Sequence, residues 1–337
     1  DFLARLRDHG STQCKRFTWD ETALRAIGAW QNHVNAPATT AANATQQANR
    51  LRPDLPGAIA PYLGGAGAEQ LLSLAAQVAQ NESAGIERQL LLDVSELCQN
   101  DAATGVQRVV RSYLRQLLQA PPPGFYVEPV YATLTQGYRY ARTYKAKFLG
   151  LPVPSAEDPS MRWQRGDIFF GLDMQHHVQL AHAAFYSHLR SEGVVVKFLV
   201  HDLLPIQLAD FFKDSNAKEL HEQWLQMIAV QNEAICVSKA TADAYEEWIS
   251  SNGIQTAPGF CIDFVHNGAD LDGSDTTNEL PADSPQVLQA LRARPTFLAV
   301  STLEPRKGQA QILEALDLLW AEGTDVNLVF VGQQGWK

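Results

Sequence analysis

Residues 296–336 carry the pattern that most narrows the choice of fold. Thr296–Val300 is a short apolar run of the kind that a fully buried parallel strand needs. A turn follows over 303–308, opened by Pro305, with Gly308 giving the backbone room. Ile312, Leu313, Leu316, Leu319 and Trp320 then share one helical face. Gly323 ends that helix, and 326–331 is the next apolar strand. Strand, loop, helix and strand make a βαβ unit, whose crossover is almost always right-handed. Its first loop places Arg306 and Lys307 beyond the carboxyl end of a strand, the edge where open α/β sheets bind ligands. Two adjacent cations suit a diphosphate there, because Arg grips through a planar fork and Lys through a point charge. The competing reading is a solvated cation pair on an ordinary βα loop.

The E-P-R-K-G loop, with its flanking strands and helix, resembles the opening of the nucleotide-sugar domain in family 4 retaining glycosyltransferases of the GT-B fold. The resemblance implies that Arg306 and Lys307 bind the donor diphosphate. It also implies a nucleotide-diphospho-sugar donor as substrate, with no cofactor and no required metal.

Length and composition are compatible with this. The chain has 337 residues, enough for about two domains. It is 45% hydrophobic and 19% charged, so large cores are within reach. No run of 18 apolar residues occurs, so no spanning segment is expected. The charged opening, DFLARLRDHG, does not read as a signal peptide. Cys14, Cys98, Cys236 and Cys261 lie far apart, with neither metal spacing nor a disulfide framework. Cys236 and Cys261 sit in apolar runs and read as buried thiols, so a cytoplasmic setting is expected. The net charge of −10 argues against a nucleic-acid partner.

Residues 1–33 read as an ending: a helix over 1–8, a turn at 10–13, then a helix from Phe17 through Trp30. Thr18 and Glu21 are placed for a capping box. The R-F-x-W-x-x-x-A pattern there resembles the last helix of a family 4 glycosyltransferase, which implies the tail of a preceding unit in a tandem enzyme. An ordinary amphipathic helix is the alternative. Residues 34–88 read as a linker, polar over 34–57, with a helix at 67–80. The Gly64-Gly65-Ala66-Gly67 run follows no strand and reads as a flexible turn, not a phosphate loop.

Residues 89–286 read as the acceptor-side Rossmann-like domain, with strands at 89–94, 126–132, 166–171, 194–200, 234–237 and 262–265. After the first strand, Val106, Val109, Val110, Tyr113, Leu114, Leu117 and Leu118 form one face of a strong helix. Thr104 and Gly105 stand at its start, where free N–H groups and the helix dipole favour an anion or sugar hydroxyls. A plain N-cap is the alternative. The D-V-S…T-G-V-Q-R-V arrangement resembles the family's first βα loop, which approaches donor and acceptor. The segment GYRYARTYKAKF carries Arg139, Arg142, Lys145 and Lys147 and no acid. It suits anionic headgroups or a phosphorylated glycan carrier, or else is a solvated element with its rings packed inward. The spacing of His176, His177, His182 and His188 does not put three ligands on one helical face, so no metal is expected. The fourth strand delivers His201 to the carboxyl edge. V-H-D-L-L-P-I resembles a family signature whose histidine lines the cleft near the transferred sugar, so His201 is the expected catalytic residue, with a satisfied structural histidine as the alternative. The turn His266-Asn267-Gly268-Ala269-Asp270 resembles the family's domain-closing P-x-G-V-D turn, departing from it at His266 and Asn267. Residues 271–286 read as a polar hinge, and 287–337 as the start of the nucleotide-sugar domain.

The expected fold is therefore α/β of GT-B type, with two doubly wound Rossmann-like domains, the second truncated at this chain's end. The resemblance implies a retaining hexosyltransferase, with mannose a candidate sugar, acting on a glycan or lipid-linked glycan in cell-surface polysaccharide synthesis, with peripheral membrane contact. The family's Glu-rich donor motif is missing from this chain, so activity is not expected from these 337 residues alone. A GT-B nucleotide-sugar epimerase and a non-catalytic scaffold domain are the alternatives.

Overall fold

The computed structural model describes residues 2–22, 25, 64, 65, 67, 88–101, 104–212, 214, 216–268 and 281–335. The 34–57 segment, the helix expected over 67–80 (Gly67 apart) and residues 271–280 of the expected hinge lie outside these. The elements in order are α1 Phe2–Cys14, β1 Arg88–Asp93, α2 Ser95–Gln99, α3 Gly105–Gln119, β2 Phe125–Tyr131, β3 Arg139–Tyr140 and α4 Arg142–Phe148. Then come β4 Ile168–Gly171, α5 His176–Ala181, α6 Ala183–Ser191, β5 Val195–Val200, α7 Leu204–Gln207, α8 Ala217–Ala229, β6 Glu233–Cys236 and α9 Lys239–Ser251. The chain continues through β7 Cys261–Phe264, α10 Ser284–Arg292, β8 Thr296–Val300, α11 Gln309–Ala321 and β9 Asn327–Val331. It divides into two compact units, one of residues 1–202 and 223–270, the other of 203–222 and 271–337.

The first unit is built on a seven-stranded sheet in the order β3-β2-β1-β4-β5-β6-β7. Every neighbouring pair is parallel except β2–β3. The chain runs from β1 outward through β2 and β3, then returns to the other side of β1 at β4. That reversal makes a topological switch point between β1 and β4, the crevice where such sheets bind ligands. Leu90, Leu92 and Phe170 from the strands pack with Val110, Tyr113, Leu114 and Leu117 of α3 in the core. Helix α3 thus buries the face that its periodicity indicates. Tyr186 of α6 packs with Phe169 and Phe198 on neighbouring strands. Lys197 and Glu233, register partners on β5 and β6, form a buried ion pair. Cys236 is buried as expected, but Cys261 is only half-buried, because β7 is the sheet's edge.

Two local expectations change. Helix α1 runs straight through the expected turn at 10–13; Thr12 Oγ1 donates to the Asp8 carbonyl one turn back, at 2.8 Å. With no proline, those residues do not stop a helix. Thr18 caps the next helical turn by accepting from Glu21 N at 3.1 Å, but Glu21's carboxylate meets Arg25 Nε at 2.9 Å. The capping box is therefore half formed. The 17–22 segment is docked: Phe17 meets the His266 ring, Trp19 meets Tyr113, and Thr22 Oγ1 donates to the His266 carbonyl at 2.6 Å.

The basic segment after β2 contains the short antiparallel strand β3, which two residues of pattern did not reveal. Tyr138 and Tyr140 are buried. Arg142 and Lys145 meet the buried Glu128 at 3.8 and 3.1 Å, and Arg139 Nε donates to the Asp158 carbonyl at 2.7 Å. Glu128, from outside the stretch, thus faces two of its four cations, Glu157 meets Arg139 at 3.8 Å, and the rings of Tyr138 and Tyr140 face inward. No helix among the described residues is long and apolar enough to cross a membrane.

In the second unit, β8 and β9 pair in parallel from Thr296↔Asn327 to Val300↔Val331, with α11 between them. The βαβ unit is present, but the expected burial of its strand is not. Phe297 is 51% and Val300 68% exposed, and on α11 Leu313 and Trp320 also remain exposed. A strand is buried by neighbours on both edges and layers on both faces; in the described residues β8 pairs with β9 alone.

Candidate functional site

The carboxyl edge of the seven-stranded sheet carries Thr104, Gly105 and His201. Thr104 caps α3 with a complete capping box: its hydroxyl accepts from Gln107 N, and its own N donates to Gln107 Oε1, each at 3.2 Å. Gln107 Nε2 donates to the Asn100 carbonyl at 2.6 Å, which ties the loop to the end of α2. Gly105 is exposed, and a Cβ there would meet nothing within 4 Å. The glycine leaves open surface beside the first free N–H groups of a 15-residue helix. The hydroxyl of Thr104 is occupied by its own helix, so the backbone is what this loop offers a ligand.

His201 follows β5, two strands from β1 and so about 10 Å away across the sheet. Its Nε2 is buried and has no hydrogen-bond partner among the described residues. Burial lowers its pKa to about 4, against the opposing pull of Asp202. The imidazole is therefore neutral at physiological pH. It brings no positive charge to this edge of the sheet.

Between these elements, at the switch point, lie two acids that sequence reasoning left without a role. Asp93, the last residue of β1, accepts from Ser95 N at 3.0 Å, Ser95 Oγ at 2.5 Å, Tyr138 OH at 2.8 Å and Gln179 Nε2 at 3.1 Å. Asp173, just beyond β4, accepts from Leu97 N at 2.6 Å and Met174 N at 3.0 Å, and its own N donates to the Asp93 carbonyl at 3.0 Å. Burial raises both carboxyls, and Asp173, with Asp93 also pushing it up, reaches about 7. Asp93 thus takes four local donors and Asp173 takes two. Together they pin the loops after β1 and β4 to one another, which sets the shape of the crevice. An acid at the end of an apolar strand was the available signal. The neighbouring Cys98 thiol is driven up to about 12, mainly by burial, so it is no nucleophile.

Three of the four histidines have structural surroundings, and His177 is exposed. His182 Nε2 lies 2.8 Å from the Thr133 carbonyl, His176 packs on Trp224, and His188 packs on Trp163. No group of three or more His, Cys, Asp or Glu among the described residues is placed to hold a metal. At the turn after β7, a Cβ on Gly268 would run into Trp19, so only glycine lets the N-terminal segment dock there.

Arg306 and Lys307 lie in the second unit, at the carboxyl end of β8. Pro305–Lys307 is a single 3-10 turn ending at Gly308, whose φ of 74° is the left-handed value that glycine accepts without strain. Lys307 is exposed. Arg306 is half-buried and turned onto Glu304, with Nε 2.7 Å from Oε2. The two loops of predicted site residues thus stand each at the carboxyl edge of its own parallel sheet.

Over its whole length the chain is 33% identical to Escherichia coli proteins named serotype-specific mannosyltransferase WbdA. The chain is a homologue of glycosyltransferases. It spans about 40% of the length of these relatives. No family model matches it, and no solved structure matches it. The mixed α/β architecture, with its mostly parallel seven-stranded sheet, is consistent with the Rossmann-like GT-B fold of glycosyltransferases.

Proposed function

We propose that the chain is part of a retaining glycosyltransferase that moves a hexose from a nucleotide-diphospho-sugar to a glycan or lipid-linked glycan. The observation that carries this is the match along the entire chain to proteins named as mannosyltransferases. The sugar is accordingly mannose, and the product belongs to a cell-surface polysaccharide made at the inner face of the membrane. Departure of the nucleotide loads negative charge onto the diphosphate. Arg306 and Lys307 are the cations that meet it, without a metal. His201, neutral and with a buried ring nitrogen unpartnered among the described residues, hydrogen-bonds the transferred sugar. The exposed backbone of Thr104 and Gly105 approaches donor and acceptor where a side chain would obstruct them.

The test is mannose transfer by the native protein from a nucleoside diphosphate mannose, with single substitutions. Arg306→Ala and Lys307→Ala should each lower kcat about a hundredfold, the usual loss when one donor to developing charge is removed. Arg306→Lys should also lower it, since an ammonium lacks the planar fork. His201→Ala should reduce kcat far more than it weakens nucleotide binding. Unchanged turnover in both Arg306→Ala and Lys307→Ala would remove the donor-loop assignment.

A further inference from the structure

The loop bearing Arg306 contains an acid where an anion site should have none. Glu304 is buried, its side chain only 4% exposed, and Arg306 is 15% exposed beside it. Their closest atoms, Oε2 and Nε, are 2.7 Å apart, yet neither completes a hydrogen bond, because the approach lies off the N–H direction. Two buried polar atoms are therefore in contact but incompletely satisfied, an arrangement that is costly and kept where geometry matters.

The backbone shows how this is built. Glu304 is extended, with φ −145° and ψ 145°, and continues the line of β8. Leu303 N donates to the Gln333 carbonyl at 2.9 Å, and Gly335 N donates to the Leu303 carbonyl at 3.2 Å. These bonds lay the 333–335 stretch alongside Glu304. A Cβ on Gly335 would strike the Glu304 side chain at Cγ and at its carboxylate. Gly335 thus leaves the space that Glu304 occupies. The turn then brings Arg306 back onto that carboxylate, with Lys307 N donating to the Glu304 carbonyl at 2.9 Å.

We infer that Glu304 is a positioning residue for Arg306, and that Gly335 makes its room. This rests on the reading of Arg306 and Lys307 as the diphosphate-binding pair. Holding the guanidinium through Nε leaves its two terminal nitrogens as a fork for the anion. A long side chain fixed in advance loses less freedom when the ligand arrives. The charge of Glu304 acts in the opposite sense, since a carboxylate close to a diphosphate repels it. Position and charge therefore predict opposite signs for the same substitution.

The experiment is calorimetric titration of the native protein with inorganic pyrophosphate. Variants are Glu304→Gln, Gly335→Ala, Arg306→Ala and the double variant Glu304→Gln/Arg306→Ala. Glu304→Gln keeps the side chain's shape, and Gly335→Ala leaves Glu304 in place chemically while displacing it. Each should weaken binding about tenfold through lost preorganisation. In the Arg306→Ala background, Glu304→Gln should no longer weaken binding and should tighten it, because only the repulsion is left to remove. A merely structural role would lower thermal midpoints and give additive losses instead. Binding by Glu304→Gln as tight as wild type, or tighter, with Arg306 intact would overturn the inference while leaving the loop assignment standing. If Arg306→Ala itself binds pyrophosphate like wild type, the loop assignment fails and this inference with it.

Discussion

The two parallel sheets of this molecule arise from the same kind of sequence and end in opposite environments. Phe170 on β4 and Phe297 on β8 both sit in short apolar runs before a βα loop. Phe170 is fully buried, between β1 on one side and β5 on the other. Phe297 is half exposed on a strand paired with β9 alone. An apolar run specifies that a strand forms. Burial depends on what lies above, below and beside it.

The sharpest test of that contrast is a pair of truncations. Phe170→Ala should cost about 3–5 kcal/mol, the range for emptying an aromatic site in a packed core. Phe297→Ala should cost under about 1 kcal/mol, since most of its ring never left water. Urea unfolding of the two variants measures both. Similar costs would mean that β8 is covered in solution as β4 is.

A second effect separates the sites by charge state and depends on pH. The folded-state pKa of His201 is about 4, below its ordinary 6.5. Between these values the unfolded chain binds a proton that the folded chain does not. Stability contributed by this group is complete above pH 6.5 and is lost as pH falls toward 4. The loss is on the order of 3 kcal/mol. Asp173, raised to about 7, acts in the opposite direction in the same window, and burial raises Asp93 as well, with the same sign. Comparison of wild type with His201→Gln isolates the histidine. The variant should lose less stability between pH 6.5 and 4, and identical pH profiles would mean that the imidazole is solvated.

The smallest of the three effects concerns the docked N-terminal segment. Gly268→Ala must push Trp19 off the turn after β7, at about 1–2 kcal/mol for an overpacked contact. Trp19 fluorescence should shift toward that of a solvated indole. An unshifted spectrum with unchanged stability would mean that residues 17–22 do not hold this position.

Much of the fold was legible in the sequence. Six strands of the large sheet begin and end within about two residues of their expected places, and the βαβ unit of 296–331 is present. The edge strand β3 was not legible, because two residues carry no period. Of the site, His201 and the Thr104–Gly105 loop could be placed on a carboxyl edge from chain order alone. The linked loops of Asp93 and Asp173 could not, being 80 positions apart and joined only by strand order. Nor could the contact of Arg306 with Glu304. Those two residues are two positions apart, but their meeting depends on the stretch at 333–335.

Local periodicity thus determined which stretches of this chain become strands and helices, because side-chain alternation and the 3.6-residue turn act over a few residues. Tertiary structure decided which strands lie buried, that the His201 imidazole is neutral, and that Arg306 is held and not free. Those properties come from desolvation and pairing, which depend on neighbours that the chain brings from far away in sequence.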